Sequence, residues 1–294
     1  MRNINEDTIT QAVLAAMSGC RDNRLRTVMT GLIQHLHSFA REVKLTEDEW
    51  RYAIDFLTRV GHITDDRRQE FVLLSDTLGL SMLVTTQNNR KASECTEATV
   101  LGPFFVNDAP RYENGQDISN GARGLPCFVT GHVRGISGEP VAGAEIDVWQ
   151  SDEDGYYDVQ NVAQPDAEVE FQARGRLHTL PGGGFHFRSI LPEAYPIPHD
   201  GPVGQMLDAL GRHPWRPAHL HFWIKAPGYE PLITHLFRNG DQYLDSDAVF
   251  AVCSSLVVDW IRHEPGIAPD GTPMNEPYYT LDYDFVLQHS ASAQ

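Results

Sequence analysis

CFVTGHVRGISGEPVAGAEIDVWQ, residues 127–150, is the stretch that decides the fold class of this chain. Two runs rich in β-branched and apolar residues flank SGEPVAGA, a segment of turn-forming residues, so the stretch predicts strand, turn, strand. In the second run, Ile146 and Val148 would face one side of a sheet, while Asp147 and Trp149 would face the other. The stretch therefore predicts a sheet with two different faces.

Similar short runs follow this stretch along the chain. GGFHFRSI, AHLHFWIKA and PLITHLF are separated by turn residues, and such close spacing favours a β-sandwich or barrel over alternating strands and helices. We also expect a helix over residues 247–262 and a late strand over residues 279–287. The predicted fold class is mainly β with α, in which a β-sandwich domain of residues 99–294 follows an N-terminal helical domain of residues 1–98.

The N-terminal part of the chain has a different pattern. Between residues 7 and 84, apolar residues recur at helical spacing with few Gly or Pro, which predicts four helices. Thr46 and Glu49 have the spacing of a capping box, so the third helix should begin there. His35 and His37 would point in different directions on a helix and cannot share a ligand. Two interpretations stay open, a helical bundle without chemistry and a bundle that also dimerises.

The composition excludes several classes of protein. Forty Asp and Glu residues against 23 Lys and Arg give a formal net charge of -17, which argues against nucleic acid or an anionic membrane as a partner. The chain has no run apolar enough to cross a bilayer, and its start lacks the pattern of a secretory signal, so we expect a cytoplasmic protein without membrane insertion. The four scattered cysteines contain no CxxC pair, and they predict reduced thiols rather than a zinc knuckle.

Candidate metal ligands occur in RPAHLHFW, residues 216–223. On a strand, His219 and His221 would project to the same face, where two imidazoles can hold a metal or form the polar face of an ordinary strand. In SDEDGYYD, Asp154 and Gly155 predict a tight turn that leads into a strand. On that strand, Tyr156 and Tyr157 would point to opposite faces, so one of them can face the same interior. Tyr195 lies in LPEAYPIP, where prolines stiffen the backbone. Phenolate oxygens combined with imidazoles favour ferric iron.

These motifs resemble those of a known family. LPEAYPIPHDGPVGQMLDALGRHPWRPAHLHFWIKAPGY, VWQSDEDGYYD and TVLGPFF are similar to the intradiol ring-cleaving dioxygenases of the catechol and hydroxyquinol type, and the resemblance covers nearly the whole chain. It implies a ferric ion, Fe(III), held by Tyr157, Tyr195, His219 and His221. It also implies that Tyr195 leaves the metal carrying a substrate proton, and that Arg216 stabilises negative charge on the ring.

Within the family, the details are most similar to hydroxyquinol 1,2-dioxygenases. Asp76 could accept a hydrogen bond from a third ring hydroxyl, although it could equally lie on the exposed side of its helix. His235 stands where the catechol pattern has glutamine, so its role is open. The resemblance implies that the substrate is contacted by residues in the FVLLSD, VLGPFF, YPIP and PLITHLF segments: Leu73, Asp76, Val100, Leu101, Gly102, Pro103, Phe104, Ile197, Pro198 and His235.

The implied reaction cleaves hydroxyquinol, benzene-1,2,4-triol, with O2 to 3-hydroxy-cis,cis-muconate, which tautomerises to maleylacetate, in aromatic degradation. The resemblance further implies a homodimer that pairs through the N-terminal helices, with a phospholipid bound between them. Three other interpretations stay open. They are a catechol or chlorocatechol 1,2-dioxygenase, a zinc hydrolase that uses the two histidines, and a prealbumin-like β-sandwich that binds ligands without catalysis.

Overall fold

The computed structural model describes residues 2–65, 68–160 and 170–290 and divides into two compact units, Met1–His62 and Ile63–Gln294. The first unit is helical, and the second contains the sheets. The predicted domain boundary between residues 98 and 99 stays a prediction.

Helices form the first unit. The predicted capping box is confirmed at the start of α3, because Thr46 N donates to Glu49 Oε2 at 2.8 Å and Glu49 N donates to Thr46 Oγ1 at 3.3 Å. Asp22 caps α2 by accepting from the backbone N–H groups of Arg24 and Leu25. The helices are α1 (Ile9–Ala16), α2 (Asn23–Glu42) and α3 (Glu47–Ile63), with a 3-10 turn at Met17–Gly19.

Two short helices precede the sheets, α4 (Glu70–Thr77) and α5 (Leu80–Asn88). Gly79 separates them with φ of +74°, a conformation that glycine adopts at little cost. The described part of residues 2–88 therefore contains five α-helices where the sequence predicted four. One further α-helix, α6 (Pro202–Ala209), lies within the β region. None of the described helices combines the length and the apolarity that crossing a bilayer requires.

The described residues form two five-stranded sheets and two small ribbons. One sheet has the order β10-β13-β1-β14 with β4 also paired to β1, and the other has the order β3-β2-β7-β8-β9. The strands are β1 (Pro126–Gly135), β2 (Glu145–Gln150), β3 (Arg174–His178), β4 (Gly184–Ile190), β5 (Tyr195–Pro196), β6 (Trp215–Arg216), β7 (His219–Lys225), β8 (Leu232–Arg238), β9 (Val257–Val258), β10 (Ile261–His263), β11 (Gly266–Ile267), β12 (Pro273–Met274), β13 (Tyr278–Asp282) and β14 (Phe285–Leu287).

Aromatic side chains pack the two sheets together. The ring of Phe222 on β7 lies 4.7 Å from that of Phe285 on β14 and 6.3 Å from that of Phe185 on β4, measured between centroids. The turn between β1 and β2 crosses from one sheet to the other, so the two strands predicted from residues 127–150 lie in different layers. The predicted β-sandwich with an N-terminal helical part is confirmed.

The prediction of a helix over residues 247–262 is wrong. The segment instead contains a 3-10 turn at Ser254–Leu256, followed by β9 and β10. β9 pairs with β8 and β10 pairs with β13, so sheet pairing of these β-branched residues overrides the helical spacing of the apolar residues. The predicted late strand is divided into β13 and β14, both of which pair in parallel with β1.

Candidate metal centre

Strand β7 has one face for packing and one for chemistry. Leu220 and Phe222 point toward the opposing sheet, while His219 and His221 share the other face, as their spacing predicted. His221 lies opposite Trp149 on β2 and opposite His235 on β8. Because directly opposite residues point to the same side, the register brings three histidine side chains together.

The three imidazoles form a buried cluster. The candidate ligand atoms of His219, His221 and His235 lie within 4.8 Å of one another, and the Nε2 atoms of His219 and His221 are 3.0 Å apart. His219 Nδ1 lies 2.7 Å from the carbonyl oxygen of Pro217, which can only accept, so this ring donates there and its Nε2 lone pair faces the cluster. The orientation suits a metal ligand.

A tight turn brings Tyr157 to the same point. The Asp152 carboxylate accepts from the backbone N–H of Asp154 and of Tyr156, and Gly155 has φ of +81°. A Cβ atom on Gly155 would lie 3.0 Å from Tyr195 Cβ, so only glycine lets this turn pack so closely.

The two adjacent tyrosines have opposite environments, as predicted. Tyr156 is 53% exposed, whereas Tyr157 is 0% exposed and its Oη lies 3.0 Å from His221 Nε2 and 3.3 Å from His219 Nε2. They lie in a loop before the 3-10 turn Asp158–Gln160, not on the strand that the sequence predicted.

A small ribbon places Tyr195 beside Arg216. In the pairing of β5 with β6 these two residues are directly opposite, and Arg216 Nη1 lies 3.4 Å from Tyr195 Oη and 3.4 Å from His219 Nε2. The rings of Tyr157 and Tyr195 are 5.1 Å apart between centroids. The four predicted ligand residues and the predicted catalytic arginine therefore lie in one cluster.

Burial controls the charge of the cluster. It holds the pKa values of His219, His221 and His235 well below 6.5, so all three rings are neutral near pH 7 and have a lone pair available. Burial, and then the neighbouring Tyr195, raises the pKa of Tyr157 well above 10. A phenolate at Tyr157 therefore requires a strong positive charge beside it, such as a bound metal ion.

Arg216 supplies a permanent positive charge. Burial opposes that charge, but the Asp247 carboxylate raises the pKa of Arg216 above its ordinary value. The two side chains form an ion pair with Nε 3.0 Å from Oδ1.

Some of the predicted substrate contacts lie at this cluster. Phe104 stacks on Tyr157 with ring centroids 4.4 Å apart, and a Cβ atom on Gly102 would lie 3.3 Å from His221 Cε1. His235 Nδ1 lies 2.7 Å from Thr99 Oγ1, while its Nε2 has no hydrogen-bond partner among the described residues. The remaining lining residues stay predictions: Leu73, Val100, Leu101, Pro103, Ile197 and Pro198.

Asp76 is 4% exposed, so the interpretation that places it on the exposed side of its helix is wrong. Burial raises the pKa of its carboxyl group, while a hydrogen bond from Ser81 and the charge of Arg216 act in the opposite direction. Asp76 Oδ1 accepts no hydrogen bond within the described residues. A buried acceptor of this kind is free for a ligand hydroxyl.

Sequence reasoning missed two ion pairs that border the cluster. Asp247 holds Arg216, and Asp158 holds Arg174 behind Tyr157 with oxygen–nitrogen distances of 2.6 and 2.8 Å. Asp158 directly follows Tyr157, so its position in the motif was a usable signal. Asp247 gave none, because it pairs across 31 positions of the chain and lay in a segment predicted to be helical.

The donor set fits a metal ion. Neutral imidazole nitrogens and phenol oxygens are ligands for transition metals, and the unpartnered His235 Nε2 is a buried polar atom that protein contacts leave unsatisfied. A β-sandwich that encloses such a cluster defines a candidate metal-binding protein.

Comparison with known proteins gives the family. Residues 100–289 match the family model described as dioxygenase, and residues 22–96 match the one described as catechol dioxygenase N terminus. The chain belongs to the intradiol dioxygenase family, and it is an enzyme.

Relatives with named activities are similar to this chain over nearly their whole length. A 6-chlorohydroxyquinol 1,2-dioxygenase of Cupriavidus pinatubonensis is 55% identical, covering 98% of this chain and 99% of the relative. A hydroxyquinol 1,2-dioxygenase of Nocardioides simplex is 49% identical, with 96% and 95% covered. The crystal structure of a Pseudomonas putida hydroxyquinol 1,2-dioxygenase superposes with a TM-score of 0.88 at 44% identity, with 97% and 99% covered.

Proposed function

We propose that this enzyme cleaves hydroxyquinol with O2 between its two adjacent hydroxyl-bearing carbons, giving 3-hydroxy-cis,cis-muconate, the tautomer of maleylacetate, in aromatic degradation. The observation that carries the proposal is the convergence of Tyr157, His219 and His221 beside Tyr195 and Arg216. Burial raises the pKa of the Asp76 carboxyl group and the charge of Arg216 opposes that rise, while Asp76 Oδ1 has no hydrogen-bond partner among the described residues. The names of the similar relatives support the same substrate class.

The metal in this proposal is Fe(III), held by Tyr157, Tyr195, His219 and His221. Two phenolates supply negative charge from hard oxygen donors, which favours ferric over ferrous iron and over zinc. When bound, the ferric ion would act as a Lewis acid that lowers the pKa of the ring hydroxyls, and it would accept electron density from the ring.

The protein supplies proton acceptance and electrostatic stabilisation. Tyr195 Oη takes a proton from a ring hydroxyl, while Tyr157 stays in place under the stacked ring of Phe104. Arg216 Nη1 is directed at Tyr195 and His219, where it stabilises negative charge that develops on the substrate. Both roles use groups that already lie within 3.4 Å of the cluster.

Specificity in this proposal comes from Asp76 and from the apolar lining. Asp76 Oδ1 accepts a hydrogen bond from the third ring hydroxyl, which catechol lacks. His235 lies against His221 with ring centroids 4.1 Å apart, and in this proposal its Nε2, which has no hydrogen-bond partner among the described residues, contacts the substrate. The substrate ring packs against residues contributed by three segments: Leu73, Val100, Leu101, Gly102, Pro103, Phe104, Ile197 and Pro198.

The metal assignment is tested by colour and metal content. Wild-type protein should contain about one iron per chain and absorb visible light by phenolate-to-iron charge transfer. Tyr157→Phe should remove most of that absorption, whereas Tyr156→Phe is a matched control at an exposed neighbour and should leave it unchanged. Purified protein that contains zinc, or that stays colourless after iron loading, would contradict the proposal.

The substrate assignment is tested by Asp76→Ala, which removes the acceptor oxygen. The ratio of kcat/KM for hydroxyquinol to that for catechol should fall about tenfold, because a buried hydroxyl without its acceptor costs about 1 to 3 kcal/mol. Oxygen uptake with both substrates measures the ratio, and catechol is the internal control. Equal losses on both substrates would show that Asp76 does not recognise the third hydroxyl.

A second candidate substrate is 6-chlorohydroxyquinol, because a relative named as a 6-chlorohydroxyquinol 1,2-dioxygenase is 55% identical to this chain. The same oxygen-uptake experiment, extended to the chlorinated triol, ranks the two substrates by kcat/KM.

The first compact unit carries a surface suited to pairing with a second copy. Exposed apolar residues recur at helical spacing along α2 and at the residue that follows it: Leu25, Val28, Leu32, Leu36, Phe39 and Val43. We propose that this stripe forms a homodimer contact and also holds the acyl chains of a phospholipid, in a protein located in the cytoplasm. Leu36→Glu should give a monomer by sedimentation and lose lipid detected by mass spectrometry, whereas Gln34→Glu should change neither.

A further inference from the structure

Asp247 is a buried carboxylate that contacts the candidate catalytic arginine. It is 5% exposed, and it accepts from Arg216 Nε at 3.0 Å and from Arg216 Nη2 at 3.3 Å. A guanidinium held on two of its nitrogens by one carboxylate has little freedom to rotate. The contact therefore fixes the plane of the Arg216 side chain.

The geometry of this pair leaves one nitrogen for the site. Nη1 makes no contact with Asp247 and lies 3.4 Å from both Tyr195 Oη and His219 Nε2. These distances are at the long limit of hydrogen bonding, so the contacts to the site do not by themselves determine where Nη1 lies. Asp247 provides the stronger constraint.

The loop around Asp247 is itself fixed. The carboxylate also accepts from the backbone N–H of Val249 at 3.3 Å and of Ala251 at 3.0 Å, and Phe250 has φ of +59°, which is uncommon for a bulky residue. Arg212 lies 4.8 Å above the Phe250 ring and donates to the carbonyl oxygen of Ala248. These contacts give the carboxylate a single position.

Arg212 also connects this loop to the end of α4. Arg212 Nη1 donates to the carbonyl oxygen of Thr77, the residue after Asp76. The loop that positions Arg216 is thereby joined to the helix that carries the proposed substrate-recognising carboxylate.

We propose that Asp247 is a positioning residue, which acts on the reaction only by fixing Arg216 so that Nη1 faces the substrate. The inference rests on the proposed function, in which Arg216 stabilises developing negative charge. In this proposal Asp247 has two roles toward Arg216: it holds the orientation of the guanidinium, and it balances the guanidinium charge inside the protein.

The experiment compares Asp247→Asn, Arg216→Gln and the double variant in the iron-loaded full chain, with hydroxyquinol as substrate. Each single change should lower kcat about 100-fold with KM changed less than about threefold, because charge stabilisation in the transition state is lost. The double variant should match Arg216→Gln within about threefold, because Asp247 has no role once Arg216 is absent. The visible absorption band should shift equally in the two single variants, since Nη1 faces Tyr195.

A matched control removes a different buried carboxylate from an ion pair. Asp147 pairs with Arg176 at 2.6 Å on β2, and Asp147→Asn should keep kcat within about threefold of wild type. If Asp247→Asn does not fold because it leaves Arg216 without a partner, the double variant still decides the question, since it removes both charges.

Three results would overturn the proposal. The first is a double variant whose kcat is about 100-fold lower than that of Arg216→Gln. The second is an Asp247→Asn protein with kcat close to wild type. The third is an Asp147→Asn control whose kcat falls as much as that of Asp247→Asn. Failure of the proposed function looks different, because then wild type would show no turnover or Arg216→Gln would retain full kcat.

Discussion

The two faces of strand β7 show how one short segment supplies both packing and chemistry. On one face, Leu220 and Phe222 are buried against the opposing sheet. On the other, His219 and His221 are equally buried, yet they meet other polar groups at distances of 2.7 to 3.4 Å. Burial alone therefore does not distinguish a core face from a site face. The distinguishing feature is a set of buried polar atoms that the protein leaves without full hydrogen bonding.

The largest effect should come from deleting an imidazole on the site face. We expect His221→Ala to lower the iron content strongly and to lower kcat by about a thousandfold or more, because a proposed ligand is lost. The free energy of unfolding of the metal-free chain should change much less than these quantities. Atomic absorption, oxygen uptake and chemical denaturation measure the three. Full iron content in the variant would remove His221 from the ligand set.

Deleting a ring on the core face should lower the stability of the fold and leave iron binding unchanged. Phe222→Ala should reduce the free energy of unfolding by about 3 to 5 kcal/mol, because it leaves a cavity between Phe185 and Phe285. The fraction that stays folded should bind iron normally. Urea denaturation and iron titration on the same sample test both points, and Ile224→Val is a milder control at about 1 kcal/mol. Weak iron binding by folded Phe222→Ala would break the proposed separation of the two faces.

This separation was largely visible in the sequence. Alternation along AHLHFWIKA predicted that His219 and His221 share a face, and the adjacency of Tyr156 and Tyr157 after a turn predicted that one of them faces the interior, although they lie in a loop and not on the predicted strand. Local rules succeeded here because strand alternation and turn chemistry depend on neighbouring residues.

The features that the sequence did not predict depend on distant partners. The apolar residues of segment 247–262 have helical spacing, but their strands are set by β8 and β13. The role of Asp247 depends on Arg216, which the sequence places far away. The burial of Asp76 likewise could not be decided from the pattern of its own helix, which allowed both outcomes.

Acid should destabilise the site face selectively. His235 has a pKa well below 6.5 when folded, so the unfolded chain binds more protons as the pH falls below 6.5. The stability contributed by the neutral ring is thus fully present above pH 6.5 and is lost below it. In the metal-free chain, His235→Gln should reduce the slope of unfolding free energy against pH by about 1.4 kcal/mol per unit below pH 6. An unchanged slope between pH 5 and about 6 would show that His235 does not stay neutral there.

The smallest effects should come from removing either of two buried threonine hydroxyls, one at the site and one away from it. Thr99 Oγ1 lies 2.7 Å from His235 Nδ1 at the site, whereas Thr234 Oγ1 donates to the carbonyl oxygen of Glu97 at 2.8 Å. Replacing either threonine by valine keeps the shape and removes one hydrogen bond, so each should cost about 1 kcal/mol of unfolding free energy.

The two threonine variants should differ in kcat. Thr99→Val frees the His235 ring to turn, so kcat with hydroxyquinol should fall about tenfold, while Thr234→Val should leave kcat near wild type. Oxygen uptake on samples matched for iron content gives the comparison. Equal kcat values in the two variants would mean that the orientation of His235 does not contribute to turnover. His235 would then belong with the packing residues of the sheet, even though it lies on the same face as His219 and His221.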